Sequence, residues 1–268
     1  MILPMKKNVI ITGASSGIGK ATAELFASGG CGLYLTARRL ERLEGMLPGL
    51  LKQGATDCVC GCFDLSIPGS GSELVKDALT RLGTIDVLVC NAGYGRFGPV
   101  EETAPEEMVR MMQVNFMSAY ESILAILPFF REQRGGHIVL VSSINGKKGM
   151  AGSAAYSATK FAQVGLGEAL WAELEHSGIK VSVICPGYTE TEFHGLAAAE
   201  PGTGRRFFRG QEASVVARAI QTAVRKGRRE VHLTFQGKLL LFIERFSRRL
   251  AMRILAQAAK KDPLRRID

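Results

Sequence analysis

The segment that most restricts this chain is the short apolar run Asn8-Val-Ile-Ile-Thr12, followed by Gly13-Ala-Ser-Ser-Gly17-Ile-Gly19 and a helical pattern from Lys20 to Ser28. Strand, glycine turn and helix in that order specify a βα unit whose turn can approach a phosphate. Glycines let the backbone close on a pyrophosphate, and the helix N-terminus offers unpaired N–H groups and a positive dipole end. Ordinary βα turns also use glycine, so this segment alone leaves a plain turn open. Its spacing is Gly-x-x-x-Gly-x-Gly, not the commoner dinucleotide-binding Gly-x-Gly-x-x-Gly.

Apolar runs and helical patterns then alternate along the chain. Strands are predicted at 9–12, 32–37, 58–63, 87–90, 137–142, 180–185 and 230–233. Helices are predicted to start near Gly17, Arg39, Ser70, Pro105, Ala154 and Gln211. Such alternation predicts an α/β domain built on a doubly wound parallel seven-stranded sheet, and 268 residues suffice for one large core. Ligands of these sheets bind beyond the carboxyl ends of the strands. Gly13, Asp64, Asn91, Ser143 and Pro186 all fall there.

Tyr156 and Lys160 are four residues apart at the start of a helical run, thirteen residues after Ser143. Positions i and i+4 share a helix face. A phenol titrates near pKa 10 and is a poor acid at neutral pH, but a fixed cation beside it stabilises the phenolate. Such a tyrosine can exchange a proton with an alcohol or ketone. Taken alone, Tyr-x-x-x-Lys is also what an exposed helix face offers.

Together, the glycine turn, Asn91-Ala-Gly93, Asn115, Ser143, Tyr156-x-x-x-Lys160 and Pro186-Gly187 resemble the short-chain dehydrogenase/reductase family in its one-domain, Rossmann-like form, from about Asn8 to about Leu233. The resemblance implies a catalytic set of Asn115, Ser143, Tyr156 and Lys160, with Asn115 helping to hold the lysine and a proton-relay water. It implies a cofactor set of Gly13, Ser15, Ser16, Gly17, Ile18, Gly19, Asp64, Leu65, Asn91, Ala92, Gly93, Pro186, Gly187, Thr189 and Thr191, joined by Tyr156 and Lys160. By their residue types alone, Asn115 reads as a surface residue or a kink, and Asp64 as a strand-end cap.

The second strand ends in Ala37-Arg38-Arg39. An acidic residue there would bind the ribose hydroxyl of NAD(H), whereas arginine suits the 2'-phosphate of NADP(H). NADP(H) is therefore expected over NAD(H), with the alternative that Arg38 and Arg39 are solvated or pair with Glu41 and Glu44. The implied activity is hydride transfer between nicotinamide and a carbonyl or secondary-alcohol carbon. A non-catalytic NADP-binding sensor or scaffold on the same fold is the alternative. An epimerase or dehydratase of the wider superfamily fits this short chain less well.

Six cysteines, Cys31, Cys58, Cys60, Cys62, Cys90 and Cys185, lack paired metal-ligand spacing, so neither a metal site nor a disulfide framework is expected. Cys58, Cys60 and Cys62 alternate along a strand and should project to one side as small apolar residues. With no spanning apolar stretch and no signal-peptide core, the sequence predicts a cytoplasmic protein. Its charge is uneven. Residues 1–200 carry 17 Lys/Arg against 20 Asp/Glu, and the remaining 68 carry 17 against 5.

Part of that excess falls in residues 236–268, read as an extension to the catalytic domain of residues 1–235. Leu239, Ile243, Phe246, Leu250 and Ile254 recur at helical intervals among arginines. A basic amphipathic helix can lie in an anionic membrane interface; equally, its stripe can pack on the domain or on a second subunit. No nucleic-acid-reading motif accompanies the charge. Tyr94, Phe97, Phe193, Leu196, Phe207 and Phe208 could line a pocket for a lipophilic carbonyl or alcohol, under a lid at about 190–210. A homo-oligomer is expected from the resemblance.

Overall fold

The computed structural model describes residues 7–192 and 210–260. Seven parallel strands, β1 (Asn8–Thr12), β2 (Gly32–Ala37), β3 (Asp57–Cys62), β4 (Val87–Cys90), β5 (Gly136–Val141), β6 (Ile179–Cys185) and β9 (Glu230–His232), form one sheet. Their order is β3-β2-β1-β4-β5-β6-β9. A separate ribbon pairs β7 (Thr189–Glu190) with β8 (Gln211–Glu212). The crossover helices are α1 (Gly17–Ala27), α2 (Leu40–Gln53), α3 (Ser70–Leu82), α4 (Pro105–Met112), α5 (Ser118–Glu132), α6 (Ala154–Leu174) and α7 (Ala213–Lys226), and α8 (Phe235–Phe246) and α9 (Arg248–Lys260) follow the sheet.

The sheet is buried on both sides because successive residues of a strand face opposite ways. On one side Val9, Ile11, Leu33 and Leu35 pack with Phe26, Leu43, Val216 and Ile220, the apolar stripes of α1, α2 and α7. On the other, Ile10, Tyr34, Leu88 and Leu140 meet Leu74, Ile123, Phe130 and Val164 from α3, α5 and α6. Adjacent strands in register bring their carboxyl ends to one edge, with Thr12 opposite Thr36 and Cys90 opposite Leu140.

All seven predicted strands are present, within a residue or so at each end. The helix predicted from Pro105 departs from a simple rod, since a π-helical turn at Gln113–Met117 separates α4 from α5. The helix predicted near Gln211 begins at Ala213, because Gln211 and Glu212 pair with Thr189 and Glu190 instead. Cys58 and Cys60 are buried as expected, but Cys62 is exposed. It is the last residue of an edge strand. Most of the expected lid, with Phe193, Leu196, Phe207 and Phe208, lies outside the described residues.

His137 in β5 is buried, with Nε2 2.8 Å from the Ser182 hydroxyl. Burial, aided by the charge of Lys180, pushes its pKa down from 6.5 to about 4. Between those values the unfolded chain binds the extra proton, so stability is lost as pH falls, by roughly 1–2 kcal/mol from pH 6.5 to pH 5. Urea denaturation over that range is expected to show a flatter pH slope for His137→Leu than for the wild type; equal slopes would contradict this.

Candidate active site

The strand ends open onto a crevice of about 720 Å³, within the range of small-molecule and cofactor sites. Every site residue expected from sequence lines it except Gly19 and Asn115. Both stand behind its wall. Tyr94, Phe97, Arg110, Asn145, Tyr188 and Glu192 line it as well.

At its floor, the turn after β1 is pressed against the end of β4. Gly13 has φ +67°, and a Cβ there would lie 2.9 Å from Ala92 Cα. A Cβ at Gly19 would collide with the Gly13 carbonyl oxygen. Asn91 Nδ2 donates to the Thr12 carbonyl at 2.9 Å, while Thr12 Oγ1 accepts the N–H groups of Asn91 at 3.0 Å and Ala92 at 2.9 Å. Thr12 thus clamps the two strand ends together. Its position as the polar residue closing an apolar strand was the available signal.

One end of the crevice collects hydrogen-bond donors and positive charge. Arg39 Nη2 donates to Ser15 Oγ and Ser16 Oγ, each at 3.2 Å, and Nη1 contacts Glu192 at 2.9 Å. Arg39 therefore pairs with Glu192 rather than with Glu41 or Glu44. Asp64 Oδ1 accepts the Ser66 N–H at 3.0 Å and hydroxyl at 2.8 Å, so it does cap the chain after β3. The backbone bond from Ser66, helped by Arg38 and Arg110, holds its carboxyl below the usual range.

The other end holds Ser143, Tyr156 and Lys160. Of the two adjacent serines, Ser142 turns its hydroxyl to the Lys160 carbonyl at 3.0 Å. Ser143 lines the crevice with Tyr156, and its hydroxyl favours the Tyr156 phenolate. Phe97 stands edge-on to Tyr156, with ring centroids 5.7 Å apart. Lys160 is 3% exposed, and its Nζ donates to the Val141 carbonyl at 2.9 Å and to Gln163 Oε1 at 3.0 Å.

Burial pushes the Tyr156 phenol up, and the Ser143 hydroxyl only partly offsets it. Burial pushes the Lys160 amine down to about 7. In the cofactor-free protein, burial thus outweighs the acidifying effect expected of Lys160. With Nζ 5.7 Å from the ring centroid and both groups desolvated, each is driven toward its neutral form.

Asn115 lies in the π-helical turn rather than on the surface. Its side chain is fully buried and bonds the Tyr94 N–H at 2.9 Å, the Tyr94 carbonyl at 2.8 Å and Thr159 Oγ1 at 2.9 Å. None of these bonds reaches Lys160 directly. The link runs through Gln163, whose Nε2 donates to the Asn115 carbonyl at 2.6 Å. That carbonyl lies in the π-helical turn, a local geometry frequent at functional sites. Gln163 was missed from sequence, although it sits three residues after Lys160 on the same helix face.

Beside Lys160, strand register brings together a group that linear spacing hides. Cys185, Glu230 and His232 place potential ligand atoms within 4.8 Å of one another, against the expectation of no metal-binding set. Lys147 Nζ already lies 3.1 Å from both Glu230 and Glu168, and burial pushes the Cys185 thiol up to about 12. The cation that this cluster holds is the lysine.

Residues 7–201 match the family model for short chain dehydrogenase. Over 263 residues, 95% of this chain and 81% of the relative, the chain is 34% identical to Dehydrogenase/reductase SDR family member 7B of Mus musculus. It resembles the structure of a short-chain dehydrogenase from Sphingobium yanoikuyae in complex with NADPH, with TM-score 0.75 and 30% identity over 85% of this chain and 86% of that one. A short chain dehydrogenase/reductase from Burkholderia phymatum in complex with NAD gives TM-score 0.75 and 26% identity, over 86% and 89% of the two chains.

The amine chemistry of Lys160 can be read directly. A lysine NMR titration of the cofactor-free protein is expected to show one side chain, absent from Lys160→Met, with a midpoint near 7. A midpoint close to the ordinary lysine value would contradict the effect of burial.

Proposed function

This chain belongs to the short-chain dehydrogenase family of oxidoreductases, and from that premise we propose that it transfers a hydride between NADP(H) and a carbonyl or secondary-alcohol carbon. One observation carries the reading. Tyr156 and Ser143 together line one end of a crevice whose other end gathers Ser15, Ser16 and Arg39. A dinucleotide fits this donor set, with Gly13 and the N-terminus of α1 facing its pyrophosphate. Of the two neighbours described above, one holds NADPH and the other NAD. The preference for NADP(H) therefore rests on Ala37, Arg38 and Arg39 of this chain.

When bound, the cofactor supplies or accepts the hydride. In reduction, Tyr156 gives its proton to the substrate oxygen as negative charge gathers there, and Ser143 donates a hydrogen bond to that oxygen. In oxidation the proton returns to Tyr156. A charged Lys160 makes the phenol easier to ionise and a neutral one makes it harder. Because the amine is pushed to about 7, its charge changes across neutral pH. Asn115 acts through Gln163, which fixes the lysine. Tyr94 and Phe97 give the substrate end an aromatic lining that suits a lipophilic carbonyl or alcohol. A non-catalytic sensor needs no proton donor beside a second hydroxyl, so the Tyr156–Ser143 pair favours an enzyme.

We further read residues 236–268 as an extension that docks on anionic lipid. Phe235, Leu239, Phe242 and Phe246 occupy one face of α8 and are exposed, Phe235 to 76% and Phe246 to 74%. Lys148 neutralises Glu244 at 2.6 Å, so Lys238, Arg245, Arg248, Arg249 and Arg253 give the exposed part of the helix pair a positive surface. Apolar and cationic character together suit an anionic membrane interface. Among the described residues, no helix is long and apolar enough to cross a membrane. A homo-oligomer remains part of the proposal.

Screened against a carbonyl panel, the wild type is expected to oxidise NADPH. Tyr156→Phe is expected to lose roughly 10²–10⁴-fold in turnover, with NADPH affinity nearly unchanged. Substantial residual turnover would remove Tyr156 from this role. In sedimentation with phosphatidylserine-containing vesicles, the full chain is expected to bind, and Phe242→Ser/Phe246→Ser to bind far less. Failure of the wild type to bind, or a variant that instead dissociates a dimer, would overturn the lipid assignment.

A further inference from the structure

We propose that Glu192 is a built-in counterion of the 2'-phosphate subsite, holding Arg39 and Arg42 until a cofactor phosphate displaces it, so that this carboxylate sets how strongly the chain prefers NADP(H) over NAD(H). The inference rests on the reading of the crevice as an NADP(H) site and identifies a specificity-determining residue within it.

Both carboxylate oxygens of Glu192 are engaged. Oε2 lies 2.9 Å from Arg39 Nη1, and Arg42 Nη1 reaches Oε1 at 2.7 Å and Oε2 at 3.0 Å. The same Arg39 guanidinium turns its other nitrogen to Ser15 and Ser16 in the glycine turn. Arg39 is thus shared between the phosphate-facing turn and an acidic residue that lines the same crevice. Arg42, Lys20, Ser15, Ser16 and Glu192 also border an adjoining pocket, in which Glu192 is the one acidic residue among the described residues. A carboxylate bridging two guanidinium groups uses the planar geometry with which arginine grips phosphate.

A phosphate arriving at Arg39 meets this carboxylate as a like charge and competes for the same donors. NAD(H), with a hydroxyl at the 2' position, leaves the Glu192–arginine contacts intact. Glu192 therefore weakens NADP(H) binding selectively. Because the three side chains are substantially exposed, the effect is moderate and falls as salt screens it. Position matters too. Thr191, the preceding residue, packs on Gly17, since a Cβ there would lie 2.9 Å from Thr191 Cγ2. Displacing Glu192 thus acts on the short stretch from Thr189 to Glu192 that also lines the crevice.

The test measures binding by calorimetry at low and high salt, using NADPH, NADH, adenosine 2',5'-bisphosphate and 5'-AMP. None of these readouts depends on turnover. Glu192→Gln is expected to tighten NADPH and adenosine 2',5'-bisphosphate by roughly three- to tenfold at low salt, the scale of one or two exposed ion pairs. NADH and 5'-AMP are expected to change by less than about twofold, and the difference to shrink at high salt. Glu192→Ala is expected to move in the same direction, separating loss of charge from introduction of an amide. If the wild type prefers NADPH but the variants leave that preference unaltered, or tighten all four ligands equally, the role of Glu192 is overturned and the NADP(H) reading stands. A wild type that binds neither cofactor, or prefers NADH, overturns both.

Discussion

The Tyr156 end of the crevice depends on the burial of one amine, Lys160. Lys160 is enclosed between β5 and α6, and an amine removed from water must be well hydrogen-bonded or lose its charge. Here both responses operate. The Val141 carbonyl and the Gln163 side chain receive its N–H groups, and its pKa is driven to about 7. Anchoring Lys160 fixes the first turns of α6 against the sheet, because Ser142 also holds the Lys160 carbonyl. Tyr156 lies one turn earlier on the same face and is carried to the strand ends with it. Through Gln163 the same lysine is tied to the Asn115 carbonyl and so to the π-helical turn.

The opposite end is governed by surface charge rather than burial. Arg39, Arg42 and Glu192 form a partly exposed group, open to exchange with ions and salt. The two ends therefore differ in kind. The proton affinity of the deep groups is governed by burial, whereas the exposed groups exchange with ions and salt. Thr12 and the glycine turn join the ends by holding β1 close to β4, with the crevice above them.

Much of this was legible in the sequence because it depends on local pattern. Apolar runs of strand length, separated by helical stretches, gave the sheet, and its doubly wound order brought Gly13, Asn91, Ser143, Tyr156 and Pro186 to one edge. Features created by distant contacts were not legible. The π-helical turn around Asn115 does not alter hydrophobic periodicity enough to be seen, and Gln163 reads as an ordinary polar helix residue until Asn115 is placed beside it. Glu192 meets Arg39 across 153 positions, and Cys185, Glu230 and His232 meet through strand register. The depth of burial around Tyr156 was likewise not legible. Spacing gives the proximity of a cation but not the depth of burial that opposes it.

The most direct measurement is a crystal structure of the protein with NADPH. The nicotinamide is expected beside Tyr156, Ser143 and Lys160, the pyrophosphate over the N-terminus of α1, and the 2'-phosphate on Arg39. Nucleotide bound elsewhere, or bound in the crevice with Tyr156 and Lys160 turned away from it, would contradict the account.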